Sequence, residues 1–107
     1  MTLKNIIFLN IPQVLNEIQK TENPVIISEK NIFRLYPFLF NNQNIPHLIL
    51  NINEKQKNFH TAKKIWDFLI QNNITKSHTI FIIGGGVLHD VTLFACSVFK
   101  RGIPTIS

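Results

Sequence analysis

Thr79-Ile80-Phe81-Ile82-Ile83-Gly84-Gly85-Gly86-Val87-Leu88-His89-Asp90 is the stretch that decides how this chain folds. Its first half is almost continuously apolar, the pattern of a parallel strand covered by helices on both faces. Three glycines follow, and then a segment of helical period that runs to about Phe99. Open parallel sheets bind their ligands at such strand-to-helix junctions, beyond the carboxyl ends of the strands.

The same alternation extends in both directions. Ile6-Ile7-Phe8-Leu9 reads as a strand, and Val14, Leu15 and Ile18 share one face of a helix over about 11–20. Pro24 opens a second strand, Val25-Ile26-Ile27. Ser28 is the expected cap of a helix carrying Ile32, Leu35 and Tyr36, which Pro37 interrupts or ends. Asn41 to Asn44 form a polar loop, and His47-Leu48-Ile49-Leu50 a third strand. Residues 58–72 predict an amphipathic helix with Phe59, Ala62, Ile65, Trp66, Leu69 and Ile70 on one stripe. Gly102 stands where a helix C-terminus takes a residue at positive φ, and Pro104 to Ser107 open a further strand. Strands alternating with helices of this length predict an α/β fold, a Rossmann-like three-layer sandwich on a mainly parallel sheet. Residues 1–107 are expected to form one domain that breaks off at the start of a strand.

Composition removes several classes. Hydrophobic residues make up 45% of the 107 and charged residues 16%, so the chain can bury a core and is not disordered. Eleven Lys and Arg against six Asp and Glu give +5, a balance that favours anionic partners without choosing among them. No apolar run reaches the ~18 residues of a membrane span, so no membrane partner is expected. The N-terminus makes a poor secretory signal, and the single cysteine, Cys96, fits a reducing cytoplasm. No face concentrates Lys and Arg with exposed aromatics, so a nucleic-acid partner is not expected. Trp66 and Cys96 read as core, and Lys63-Lys64 and Lys100-Arg101 as solvated pairs. His47, His60, His78 and His89 are scattered, without zinc spacing, and read as surface or turn residues.

The candidate site lies on one rim of the sheet. Gly84, Gly85 and Gly86 lack the Cβ atoms that keep a diphosphate from the backbone, and the helix after them offers free N–H groups to an anion. Glycine also supplies unusual backbone angles in any tight turn, so the triplet by itself fits either role. It is not the ordinary dinucleotide fingerprint, since position 89 is His and no acid follows ~20 residues on. Asp90 suits the helix N-terminus or a ribose hydroxyl. Glu54 and Lys57 follow the third strand, and Glu29 and Asn31 the second. Polar groups at three successive β–α junctions on one rim predict a ligand site.

These residues together resemble the N-terminal, NAD-binding domain of the 3-dehydroquinate synthase family and the related sugar phosphate cyclases. That family carries an acid and, two residues on, an asparagine at its second junction, where Glu29 and Asn31 stand. Its third junction has Gly-Glu-x-x-Lys, against Asn53-Glu54-Lys55-Gln56-Lys57 here. Its fourth has Gly-Gly-Gly-Val-hydrophobic-Gly-Asp-x-x-Gly-Phe-Ala, against Gly84 to Ala95 with His89 and Leu93 at the last two glycines. The helix ending Tyr-x-Arg-Gly-Ile is Phe99-Lys100-Arg101-Gly102-Ile103 here.

The resemblance implies NAD as cofactor, held by Glu29, Asn31, Glu54, Lys57, Gly84, Gly85, Gly86, Val87 and Asp90. It implies a homodimer in which Arg101 reaches a substrate phosphate across the interface. The activity implied is phosphate-eliminating ring closure of a phosphorylated keto acid to 3-dehydroquinate, in the shikimate route to aromatic amino acids. Zinc or another divalent metal serves that reaction through ligands of a C-terminal helical domain, so no metal ligand and no catalytic residue is expected in this chain. The chain alone is therefore expected to be inactive. Two other readings remain at this point: a non-catalytic or decayed nucleotide-binding or interaction module, with His89 and Leu93 as its marks, and the N-terminal domain of an iron-type alcohol or glycerol dehydrogenase. The Glu54/Lys57 pair and the Lys100 to Ile103 ending favour the cyclases.

Overall fold

The computed structural model describes residues 3–4, 11–52, 59–99 and 105–106. Along the chain come β1 (Leu3–Lys4), α1 (Ile11–Lys20), β2 (Pro24–Glu29), α2 (Lys30–Leu35) and a 3-10 turn (Pro37–Phe40). Then follow β3 (His47–Leu50), α3 (Phe59–Gln71), β4 (Thr79–Ile83), α4 (Gly86–Phe99) and β5 (Thr105–Ile106). The strands form one sheet in the order β1-β5-β4-β2-β3, and every neighbouring pair is parallel.

Side-chain alternation along the two central strands divides the interior into two cores. Val25 and Ile27 of β2 and Ile80 and Ile82 of β4 pack with Ala62, Ile65 and Leu69 of α3 and with Leu88, Val91 and Ala95 of α4. Ile26 and Phe81 point the other way, to Val14 and Ile18 of α1, to Leu39 and Phe40 of the 3-10 turn, and to Ile32 of α2. A helical layer therefore covers each face of the sheet, which is the three-layer α/β sandwich that the alternation of elements predicts. Trp66 ties the two helices of the first layer together: its indole N–H donates to the Ala95 carbonyl at 2.9 Å.

β3, β4 and α1 lie where the sequence predicts them. Four details differ. Ser28 does not cap α2; it is a fully buried strand residue, because β2 runs on to Glu29 with ladder partners on both sides. Glu29 occupies the cap position and makes no side-chain capping bond there. Leu35, read as part of an apolar face, is exposed, and Tyr36 lies past the end of α2; Pro37, expected to interrupt or end that helix, opens the 3-10 turn, whose Leu39 and Phe40 are buried. On α3, Phe68 is buried while Ile70 is 60% exposed, so the covered face is rotated from the expected stripe. The strand read at 6–9, the side chain of Phe59 and the turn at Gly102 lie outside the described residues.

Cys96 is buried on α4, and burial pushes its thiol from the ordinary 9.0 up to about 12. An unfolded chain releases that proton from about pH 9, whereas the folded chain holds it to about pH 12. The resulting stability is intact below pH 9 and is lost as pH climbs toward 12. Only the thiolate reacts with alkylating reagents. At pH 8, native Cys96 is expected to stay unmodified by iodoacetamide and to react once denaturant is added. Rapid labelling without denaturant would mean that α4 is not seated on the sheet.

Candidate functional site

β2 and β4 are neighbours, but the helices that follow them sit on opposite faces: α2 on the side of Phe81, α4 on the side of Ile80 and Ile82. Loops that leave adjacent parallel strands in opposite directions open a crevice between them, the place where such sheets bind ligands. Ser28 and Ile83 are register partners at its floor, and the Ser28 hydroxyl donates to the Ile83 carbonyl at 2.5 Å. That bond fastens the strand ends together one residue before they part. Glu29 then rises on one side and Gly84 on the other.

The two sides meet. Glu29 accepts a hydrogen bond from the Gly85 backbone N–H through Oε2, at 2.8 Å. A Cβ at Gly84 would collide with that same oxygen and with Leu88 Cδ2, and Leu88 is fully buried. A Cβ at Gly85 would stand 3.8 Å from Glu29 Oε2, an ordinary contact, and one at Gly86 would meet nothing within 4 Å. None of the three glycines takes a φ in the left-handed region. The plain-turn explanation therefore fails, since no backbone angle here requires glycine. Packing requires it at Gly84 only, which leaves open space before the N-terminus of α4.

Gly85 also shapes the first turn of α4. Its carbonyl accepts the His89 backbone N–H at 3.1 Å and lies 2.9 Å from His89 Nδ1. A carbonyl only accepts, so in this contact Nδ1 carries a proton and donates it. Nε2 is buried without a hydrogen-bond partner, and so is Thr92 Oγ1 one turn further along α4. His89 is thus half-buried and engaged, not the surface or turn residue that its scattered position suggests.

Of the residues read from the sequence, the fold brings Glu29 and Gly84 to Gly86 together across the crevice. Val87 is half-buried in the first turn of α4 and Asp90 exposed in the next. Asn31 is exposed in α2, and its Oδ1 accepts from Arg34 Nη2 at 3.0 Å. Glu54, Lys57 and Arg101 lie outside the described residues. Sequence reasoning did not find the parts played by Ser28, Leu88 and the Gly85–His89 pair. For His89 the signal was present: it stands four residues after Gly85 on a helix.

A family model described as 3-dehydroquinate synthase N-terminal matches residues 47–107. A 3-dehydroquinate synthase of Clostridium botulinum (strain Alaska E43 / Type E3) is 30% identical over 98 residues, covering 86% of this chain and 28% of the relative. One from Buchnera aphidicola subsp. Cinara cedri is 30% identical over 103 residues, 96% of this chain and 27% of that protein. The chain thus spans under a third of the length of these curated relatives. In fold it is similar to 2-deoxy-scyllo-inosose synthase, solved with carbaglucose-6-phosphate, NAD+ and Co2+, at a TM-score of 0.63 and 19% identity. That likeness covers 97% of this chain and 30% of the other.

Proposed function

The chain belongs to the 3-dehydroquinate synthase family, and from that premise we propose that the β2–β4 crevice holds the diphosphate of NAD against the glycine turn. One observation carries the reading. Gly85 precedes α4 and Gly86 opens it, neither with a left-handed φ, and a Cβ there would meet at most the Glu29 carboxylate, so the fold gives no reason of its own for glycine. Close approach of a ligand to the backbone supplies one, and backbone N–H groups of a first helical turn suit a diphosphate.

In this reading Gly84, Gly85, Gly86 and Val87 line the diphosphate, and Asp90, Glu29 and Asn31 take ribose hydroxyls or the groups beside them. Glu54 and Lys57 complete the rim from the third junction. Bound NAD supplies a reversible hydride acceptor for one carbinol of a phosphorylated keto acid; the protein binds it and aims its ring. Arg101 is assigned to a substrate phosphate across a homodimer interface, a role suited to a guanidinium fork. The whole protein then belongs to ring-closing, phosphate-eliminating synthesis of 3-dehydroquinate. Among the described residues no group of three or more His, Cys, Asp and Glu comes together, so they do not fit a divalent metal, and no step through one is derived for them. The match of the family model across residues 47–107 supports this reading over the iron-type dehydrogenase.

NAD titration tests it, followed by calorimetry or by the fluorescence of Trp66, whose indole N–H holds the Ala95 carbonyl of α4. Saturable binding in the micromolar range is expected. No binding at millimolar NAD would transfer the chain to the second reading, a module that has lost its dinucleotide. Mixed with the phosphorylated keto acid, NAD and zinc, the 107-residue chain is expected to release no phosphate, and measurable turnover would overturn the assignment of catalysis to other parts of the protein.

A further inference from the structure

We propose that the Glu29 carboxylate is a built-in competitor for the diphosphate position, so that a ligand enters the crevice only as Glu29 swings out of it. The inference rests on the dinucleotide reading of the same crevice and goes beyond it, since it concerns what keeps the ligand out.

The geometry is direct. Glu29 reaches across from the end of β2 to the Gly85 N–H, a contact between residues 56 apart in sequence. Its Oε2 stands in the space where a Cβ on Gly84 would be, beside the backbone that the missing Cβ leaves bare. The contact is a charge-assisted hydrogen bond at the positive end of α4, the arrangement a phosphate oxygen would otherwise make. Gly85 has one N–H to give. A second anion brought to the same turn would lose that donor and face the carboxylate at close range. No salt bridge among the described residues neutralises Glu29, and the only described hydrogen bond of its carboxylate is the one to Gly85.

Ligand binding is therefore coupled to a side-chain equilibrium. Apparent affinity falls by the fraction of molecules in which Glu29 is withdrawn. An aspartate at this position keeps the negative charge for ribose hydroxyls but is shorter by one carbon–carbon bond, about 1.5 Å. It does not span the gap to Gly85, and the turn stands ready for an anion at all times. The length of the acid, not its charge, sets how open the crevice is.

Glu29→Asp tests the proposal against three probes titrated calorimetrically into the 107-residue chain: NAD, ADP as a diphosphate without nicotinamide, and adenosine, which has no phosphate. NAD and ADP are expected to bind the variant about tenfold more tightly than the unsubstituted chain, with no comparable gain for adenosine. In amide spectra without ligand, the Gly85 N–H resonance is expected to move upfield in the variant as its hydrogen bond is lost, and the remaining dispersion verifies the fold. Equal ADP affinity in both proteins would overturn the proposal and, if NAD still binds both, leave the dinucleotide reading standing. A matching gain for adenosine would also overturn it, because the effect would not depend on phosphate. Binding of NAD to neither protein would overturn both.

Discussion

Phe81→Ala is expected to lower the unfolding free energy by about 3–5 kcal/mol, the range for deleting a buried phenylalanine. Phe81 is 0% exposed in the middle of β4, between β2 and β5, with Ile26 and Ile106 as its register partners. Its ring is the sheet's main contribution to the second core, where Val14, Ile18, Leu39 and Phe40 close over it. Few atoms there can move in to fill the space, since each belongs to an element anchored elsewhere. A domain of this size is stable by roughly 5–15 kcal/mol, so the variant should be close to unfolding at room temperature. Urea unfolding followed by circular dichroism would show a much lower midpoint at an unchanged slope. A loss below about 1 kcal/mol would show that the layer of α1 and the 3-10 turn does not rest on Phe81.

The second large effect separates two adjoining glycines. Gly84→Val should cost stability and binding together: its Cβ collides with the buried Leu88 and with Glu29, and overpacking of that kind costs about 1–3 kcal/mol. Its branched side chain would also stand over the diphosphate position, and NAD affinity is expected to drop at least a hundredfold, about 2.7 kcal/mol. Gly86→Ala should behave differently. A Cβ there meets nothing within 4 Å, and residue 86 opens α4, so stability should hold or rise by under about 1 kcal/mol. NAD affinity is nonetheless expected to fall about tenfold, because the new methyl occupies space that only a ligand uses. Chemical denaturation and NAD titration on both variants decide the point. Unchanged NAD affinity in Gly86→Ala would show that the open space before α4 is not where the ligand lies.

The strands were legible because their signal is local. β3 and β4 are short, mainly apolar runs, β3 opened by Pro46 and β4 closed by the glycines, and their ends fall where the sequence places them. The rotated face of α3 was not legible. Apolar spacing defines a stripe, but which flank is covered depends on the neighbouring helix, and α4 takes Trp66 as a partner while Ile70 is left outside. Ser28 misled for a similar reason: hydroxyl residues favour caps by local propensity, yet pairing with β3 and β4 together outweighs a single capping bond. For the candidate site, the rim and its glycines could be read from the chain. The Glu29–Gly85 contact could not, because it exists only once strand order brings β2 beside β4, and strand order is a long-range property.

That order has a consequence for how the molecule comes into being. Leu3 is paired with Thr105, and Lys4 with Ile106, so β1 has no described partner until β5 is made. During synthesis on the ribosome, β2, β3 and β4 can assemble as soon as residue 83 is free of the exit tunnel, while β1 must wait for residues 105 and 106. Non-local parallel pairing of this kind folds slowly, because a long loop has to close before any contact rewards it. Until residues 105 and 106 emerge, Leu3 and Lys4 are without their described partner, an open strand edge of the kind that invites pairing with another chain.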